Sequence, residues 1–341
     1  MSDTLNVAII GAGRIGRVHA QTLAQRIPYA RLSMIVDLDL EAARRLADRF
    51  NVPRVAADYA EALADPDIEA VLICTSTKTH ATITNHAARS GKHIFCEKPI
   101  SQSLSEIDET LRIVEQAGVK FQVGFNRRFD ANFSRVRRAI ESGEIGELSL
   151  LHIISRDPEP PSIDYVRASG GMFLDMTIHD FDMARFLTGA EVEEVFAMAG
   201  VRVDPAIGEA GDVDTAVIML RFENGIIGTI DNSRRAPYGY DQRVEVLGSK
   251  GSIVTQNNYP NQAILSDAHS VRRDLPLNFF MDRYTESFVA EIAAFVDAIL
   301  RDAPVPVSGN DGRLPVVMAL AAAQSYREHR PVRLDEILVV A

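Results

Sequence analysis

The chain carries only two cysteines, Cys74 and Cys96, among its 341 residues. Two are too few for a disulfide scaffold and their spacing is not that of a zinc site, so both read as reduced core residues. There is no run of about 18 apolar residues, which leaves no segment able to cross a bilayer as a helix. Met1 to Asn6 lacks a charged stretch leading into an apolar core, and a cytoplasmic location is expected. Basic charge is also in short supply: 36 Lys and Arg stand against 47 Asp and Glu, a net charge of −11. Nucleic acid and anionic membrane are therefore not expected partners, because both need a basic footprint to meet their phosphates. Internal repeats and low-complexity tracts are absent. What remains is ordinary globular material, 46% hydrophobic and 24% charged, long enough for two domains that each bury a core and suited to small-molecule partners.

The most informative stretch opens the chain. Leu5 to Ile10 (LNVAII) is an apolar run of strand length that leads into Gly11-Ala12-Gly13-Arg14-Ile15-Gly16 and then a helical pattern through Leu23. A GxGxxG motif in that setting gives each glycine a task. Gly11 permits the tight turn, Gly13 lets backbone approach a pyrophosphate, and Gly16 lets helix pack on strand, with Arg14 and Ile15 inside the turn. A second buried strand, Leu32 to Val36, ends in Asp37, about 20 residues beyond the last glycine. A carboxylate there accepts hydrogen bonds from both ribose hydroxyls and repels a 2′-phosphate, so NAD is expected over NADP. The competing reading is that Asp37 merely caps the helix beginning near Asp39.

Strand and helix patterns then alternate: helices Leu40 to Phe50 and Tyr59 to Ala64, strand Ala70 to Cys74, helix His80 to Ser90, strand His93 to Cys96, helix Leu104 to Gln116 and strand Phe121 to Phe125. Alternation of this kind builds a doubly wound parallel sheet, whose ligands sit beyond the carboxyl ends of the strands. Thr75 to His80, Glu97 to Pro99 and Gly124 to Arg128 are the segments so placed. Thr75, Ser76, Thr77, His80, Glu97 and Lys98 are cofactor-side candidates, and Arg127 is a candidate substrate contact that could equally form a structural ion pair.

A second informative stretch is Gly170 to Leu187 (GGMFLDMTIHDFDMARFL), a glycine pair followed by a helical pattern. It spaces Asp175 and His179 four apart, which on an α-helix stacks a carboxylate and an imidazole on one face. Such a pair does acid/base chemistry, the carboxylate fixing the tautomer and basicity of the ring. The plainer alternative is a histidine satisfied by a local hydrogen bond. Around this stretch the pattern turns to strands: Leu148 to Ser155, Val192 to Val201, Val213 to Phe222, Ile226 to Arg234, Gln242 to Gly248 and Ser252 to Gln256, a largely antiparallel meander with turns at Glu223-Asn224-Gly225 and Ser249-Lys250-Gly251. The loop Arg235 to Tyr240 interrupts it and places Tyr238, Tyr240 and Asp241 within reach of a polyol. A sheet face left uncovered would call for another copy of the chain. Helices Asp282 to Arg301 and Gly312 to His329 follow. The expected domains are 1–124, binding NAD, and 125–341, binding substrate and making the oligomer, with the C-terminal helices packing back on the first.

The strand ending in Cys96-Glu97-Lys98-Pro99, the N-terminal GxGxxG and the later DxxxH together resemble the Gfo/Idh/MocA oxidoreductases over essentially the whole chain. The resemblance implies an α/β chain with an N-terminal Rossmann domain and a C-terminal α+β domain bearing an open-faced, largely antiparallel sheet. It implies Lys98, Asp175 and His179 at the hydride-transfer site, and a homo-oligomer, tetrameric in form. It also suggests Tyr284 and Asp182 as further polar site residues, beside His152, Tyr238 and Arg127 on the substrate side. Pro99 would stiffen the turn that aims Lys98, and its peptide bond could be cis. TSTKTH at Thr75 to His80 departs from the family by carrying Lys78 where a proline is usual. Within the family, SRDPEPP (Ser155 to Pro161) and the Gly170 to Leu187 stretch most resemble inositol 2-dehydrogenases, which implies oxidation of myo-inositol at a secondary hydroxyl. A scyllo-inositol, aldose or other cyclitol substrate is the alternative, and a non-catalytic NAD- or sugar-sensing regulator is the alternative of another class. A zinc site on His152, Asp175 and His179 lacks a fourth ligand of suitable spacing, and no metal is expected.

Overall fold

The computed structural model describes residues 4–338. The chain forms two compact units: one runs to Phe129 and includes Glu286–Leu314, the other takes in Asp130–Thr285 and the residues from Pro315 onward.

The first unit is built on a six-stranded parallel sheet. Its strands are β1 (Leu5–Ile10), β2 (Ala30–Val36), β3 (Val55–Ala56), β4 (Ala70–Ile73), β5 (His93–Glu97) and β6 (Phe121–Gly124), in the order β3-β2-β1-β4-β5-β6. Parallel strands need crossovers, supplied by α1 (Arg14–Arg26), α2 (Leu40–Phe50), α3 (Tyr59–Ala64), α4 (Thr77–Arg89) and α5 (Leu104–Ala117). The apolar character of LNVAII, broken only by Asn6, follows from its position: β1 lies between β2 and β4, and Val7, Ala8 and Ile9 are fully buried. The chain order reverses between β1 and β4, so the crevice beyond their carboxyl ends is the place for a ligand. A late segment completes this core. Ile292, Phe295 and Val296 of the helix Thr285–Leu300 belong to the same apolar cluster as Val7, Ile9, Ile35 and Phe95.

The second unit holds a seven-stranded mixed sheet made of β7 (Leu148–Arg156), β8 (Val192–Gly200), β9 (Thr215–Phe222), β10 (Ile227–Ser233), β11 (Asp241–Gly248) and β12 (Gly251–Val254), closed at one edge by Val332–Arg333. The order is β12-β11-β7-β10-β9-β8, then the edge strand. Neighbours are antiparallel except β7 and β10, which run parallel. The expected meander is therefore broken at one place: β7 inserts between β10 and β11. The interrupting loop explains this, because a chain that must step across an intervening strand covers two strand spacings, about 10 Å, which no two-residue hairpin can do.

Strand alternation gives the sheet two unlike faces. Ala216, Ile218, Leu220, Phe222 and Ile230 are buried on one face, whereas Leu150, Val217, Met219, Ile227 and Leu247 on the other are each 41–50% exposed. The covered face receives α8 (Ile178–Thr188), which follows α6 (Ala131–Glu141) and α7 (Ile163–Ser169) in the chain.

Candidate active site

In the first unit the glycine turn has the dimensions its motif implies. Gly11 has φ +108°, and a Cβ on it would stand 2.5 Å from the Cys74 carbonyl oxygen. A Cβ on Gly16 would stand 1.9 Å from the Gly11 carbonyl oxygen, which welds α1 to β1. Gly13 is different: nothing lies within 4 Å of where its Cβ would be, leaving backbone open to an approaching group. Arg14 begins α1 at the same rim. Asp37 follows β2, and its carboxylate accepts from the Ala12 amide at 2.7 Å and the Asp39 amide at 2.8 Å. Asp39, not Asp37, caps α2, accepting from Glu41 and Ala42. The capping alternative for Asp37 is thus taken by its neighbour, and Asp37 braces the glycine turn.

The other strand ends of this unit are equally specific. Thr75 leaves β4, its hydroxyl 2.7 Å from that of Thr79, while Ser76 is the residue before α4 and Thr77 its first. Glu97 turns inward, one oxygen 2.7 Å from Nε2 of the fully buried His19. Lys98 comes next, half-buried and joined to Pro99 by a cis peptide bond. His80 is 2% exposed with both ring nitrogens on backbone carbonyls. Arg127 is buried in the short 3₁₀ turn Asn126–Phe129, while its neighbour Arg128 pairs with Asp311 at 3.0 Å.

In the second unit the Asp175/His179 stretch departs from a plain α-helix. Phe173–Thr177 forms a π turn that passes directly into α8. Widened turns of this kind recur at functional sites, because they redirect side chains without breaking the helix. Their effect here is seen in exposure: from Met172 to Asp180 every residue is buried except Asp175 and His179. The turn is fastened to the sheet by Asn232 of β10, which accepts from Thr177 at 2.6 Å and donates to Asp180 at 2.8 Å. Those two partners straddle His179. Asp175 is held from both sides, one oxygen accepting from Tyr165 at 2.8 Å and the other from Arg234 at 3.3 Å. Arg234 is 1% exposed and also lies 3.7 Å from Asp212, so two carboxylates compensate a buried guanidinium. A buried charge paired this way costs several kcal/mol if either partner is removed. Sequence reasoning missed Arg234, Tyr165 and Asn232. Their contacts span 10 to 59 residues, and no local motif marks them.

Of the other expected substrate residues in this unit, His152, Tyr238 and Tyr284 stand on other elements and Asp182 on α8 itself. The structure does not bring His152 to the pair: strand alternation turns it to the open face with Leu150, where Nδ1 meets the Thr229 hydroxyl at 2.5 Å. The Tyr238 hydroxyl donates to Asp241 at 2.7 Å and accepts from Arg156 at 3.0 Å, and burial together with the Asp241 bond pushes the phenol upward from its ordinary range. Tyr284 is 2% exposed and packs edge-on against Tyr240, its hydroxyl 3.4 Å from Gln242. Asp182 is fully buried within α8. Among the described residues no three His, Cys, Asp or Glu are grouped as metal ligands.

Comparison with known proteins places these two halves in one family. Residues 5–125 match the model of the oxidoreductase family with an NAD-binding Rossmann fold, and residues 133–254 match the GFO/IDH/MocA C-terminal domain. The chain is 48% identical to the uncharacterized oxidoreductase YrbE of Bacillus subtilis over 100% of both chains. The chain belongs to the GFO/IDH/MocA family. Among its GFO/IDH/MocA relatives, the myo-inositol 2-dehydrogenase of Thermotoga maritima is 46% identical over 98% of this chain and 100% of its own. The scyllo-inositol dehydrogenase of Lactobacillus casei, solved with NAD(H) and scyllo-inositol, superposes with a TM-score of 0.91 at 29% identity, covering 97% of this chain and 99% of its own. Like other members this GFO/IDH/MocA chain is an NAD-dependent oxidoreductase, and its own geometry fits the cofactor. The open space at Gly13 and the α1 N-terminus would hold the pyrophosphate, and the Asp37 carboxylate at the end of β2 would hold the ribose.

Proposed function

We propose that the enzyme oxidises a secondary hydroxyl of a cyclic polyol, myo-inositol giving 2-keto-myo-inositol, with Lys98, Asp175 and His179 as its catalytic residues. The observation that carries this reading is the selective exposure of Asp175 and His179 on an otherwise buried turn, and the names of the full-length relatives support the polyol. NAD, when bound, accepts the hydride released from the carbinol carbon. His179 takes the hydroxyl proton, and Asp175, itself steadied by Arg234 and Tyr165, orients the ring and stabilises the charge it gains. The Lys98 ammonium stabilises negative charge developing on the oxygen. Scyllo-inositol is the second reading, favoured by the likeness to the Lactobacillus casei enzyme.

The test is NADH absorbance during turnover with a panel of cyclitols and aldoses, NAD and NADP being supplied separately. Fast reduction of NAD by myo-inositol is expected; a preference for scyllo-inositol or an aldose changes the substrate and keeps the chemistry. Measurable NAD binding without turnover of any polyol would instead make the protein a sensor. Asp37→Ser in the same assay is expected to weaken NAD use by about 10- to 100-fold and raise the NADP/NAD ratio, since hydrogen bonds to a charged group are worth about 1.5–3 kcal/mol. Equal losses for both cofactors would reduce Asp37 to a brace of the glycine turn.

We further propose a homo-oligomer, a tetramer, formed through the open face of the sheet. Leu150, Val217, Met219, Ile227 and Leu247 set exposed apolar side chains on neighbouring strands of that face, a pattern that marks interaction surfaces. Light scattering that returned the mass of a single chain would overturn this. The cytoplasm, where an NAD-linked oxidation meets its cofactor, is the proposed location, and the two unpaired, buried cysteines suit a reducing compartment.

A further inference from the structure

His80 stands on α4 one turn after Thr75, and its ring has a hydrogen-bonding arrangement that a neutral histidine cannot satisfy. Nδ1 is 2.8 Å from the Pro99 carbonyl oxygen and Nε2 is 3.1 Å from the Thr75 carbonyl oxygen. Carbonyl oxygens only accept, and a neutral imidazole carries one N–H. A neutral ring would leave one of the two carbonyls without its N–H in a site 2% exposed, the freed nitrogen having only the weak Cys96 thiol as a donor. The doubly protonated ring satisfies both. The two carbonyls belong to the turns that leave β4 and β5, at the sheet edge where a doubly wound fold holds its ligand, and Pro99 is the residue after Lys98.

We infer that His80 is a positioning residue: a buried imidazolium that ties the Thr75 turn to the Lys98–Pro99 turn and so fixes the backbone presenting Lys98 to NAD. The functional half of this inference rests on the reading of Lys98 given above; the protonation half does not. Burial alone works against the charge. The Cys96 sulfur of β5, which is the titratable group facing the ring, and the carbonyls of Pro99 and Thr75 outweigh that effect and lift His80 to about 9. The folded value lies above the unfolded one. The charge thus stabilises the fold in full below about 6.5 and ceases to do so as pH rises through about 9. Near neutral pH the clamp is closed.

The experiment uses the full chain labelled with ¹⁵N at histidine, with and without NAD, and His80→Gln to assign the ring signals. Both His80 nitrogens are expected to be protonated at pH 7.5 and to titrate near 9. A single neutral tautomer at pH 7.5 would overturn the inference, and this readout needs no turnover. Glutamine donates from one nitrogen only and cannot bridge both carbonyls. His80→Gln is accordingly expected to lower kcat by roughly 10²-fold through displacement of the Lys98 turn, with the alkaline loss of activity near 9 removed from the profile. An imidazolium seen in the wild type together with unchanged kcat and pH profile in His80→Gln would overturn the positioning role. Absence of polyol turnover in the wild type would instead remove the proposed function and leave the protonation result standing.

Discussion

Replacing His179 with glutamine is expected to lower kcat by about 10²- to 10⁴-fold, the usual contribution of a positioned general base, while NAD affinity stays within a few-fold. His179 is one of two partly exposed residues on a turn otherwise buried, and Asn232 anchors the turn through Thr177 and Asp180. The variant should therefore keep its shape, and an unchanged melting temperature would show that it has. Losses in kcat and kcat/KM should match, because the proton leaves the hydroxyl only as the transition state forms. The pH profile adds the sign. Oxidation needs the neutral ring, so wild-type activity falls as pH drops and the ring protonates, and that limb should vanish in His179→Gln. A variant that kept both its rate and its acid limb would remove His179 from the chemistry.

Lys98→Met is expected to cost about 10²- to 10³-fold in kcat, comparable to losing one preorganised donor to a developing oxyanion. Methionine keeps the length and apolar stem of the side chain, so the Lys98–Pro99 turn retains its packing and the change isolates the charge. Titration of intrinsic NADH fluorescence should report near-normal cofactor binding. Lys98→Arg is the instructive companion: it keeps the charge but replaces a compact ammonium with a broad fork, and only partial recovery is expected. A Lys98→Met enzyme of normal kcat would show that His179 and Asp175 act without it.

Much of this was legible because several positions admit little choice. Gly11 and Gly16 are written into the sequence by backbone that passes too close for any Cβ, and Asp37 by the distance at which β2 ends. β1 announces itself because burial on both faces demands a nearly continuous apolar run, here Val7 to Ile10. The π turn did not, since it differs from an α-helix by one residue of hydrogen-bond reach and carries no compositional mark. The insertion of β7 beside β10 was equally hidden: pairing partners 77 residues apart, such as Ile153 and Ile230, share nothing local. His152 shows the same limit from the other side, because its residue type suggested chemistry while a period of two had already assigned it to the wrong face. Arg234 reads as a surface arginine until the fold buries it beside Asp175.

The apolar cluster under the Rossmann sheet contains Ile292, Phe295 and Val296 alongside Val7, Ile9 and Ile35. During synthesis the ribosome delivers the cofactor-binding half first, yet its hydrophobic interior stays unfinished until nearly 300 residues have emerged. Until then the nascent sheet lacks the late helix that covers its apolar surface. Cutting the gene after the last parallel strand would yield that sticky intermediate rather than a stable NAD-binding fragment.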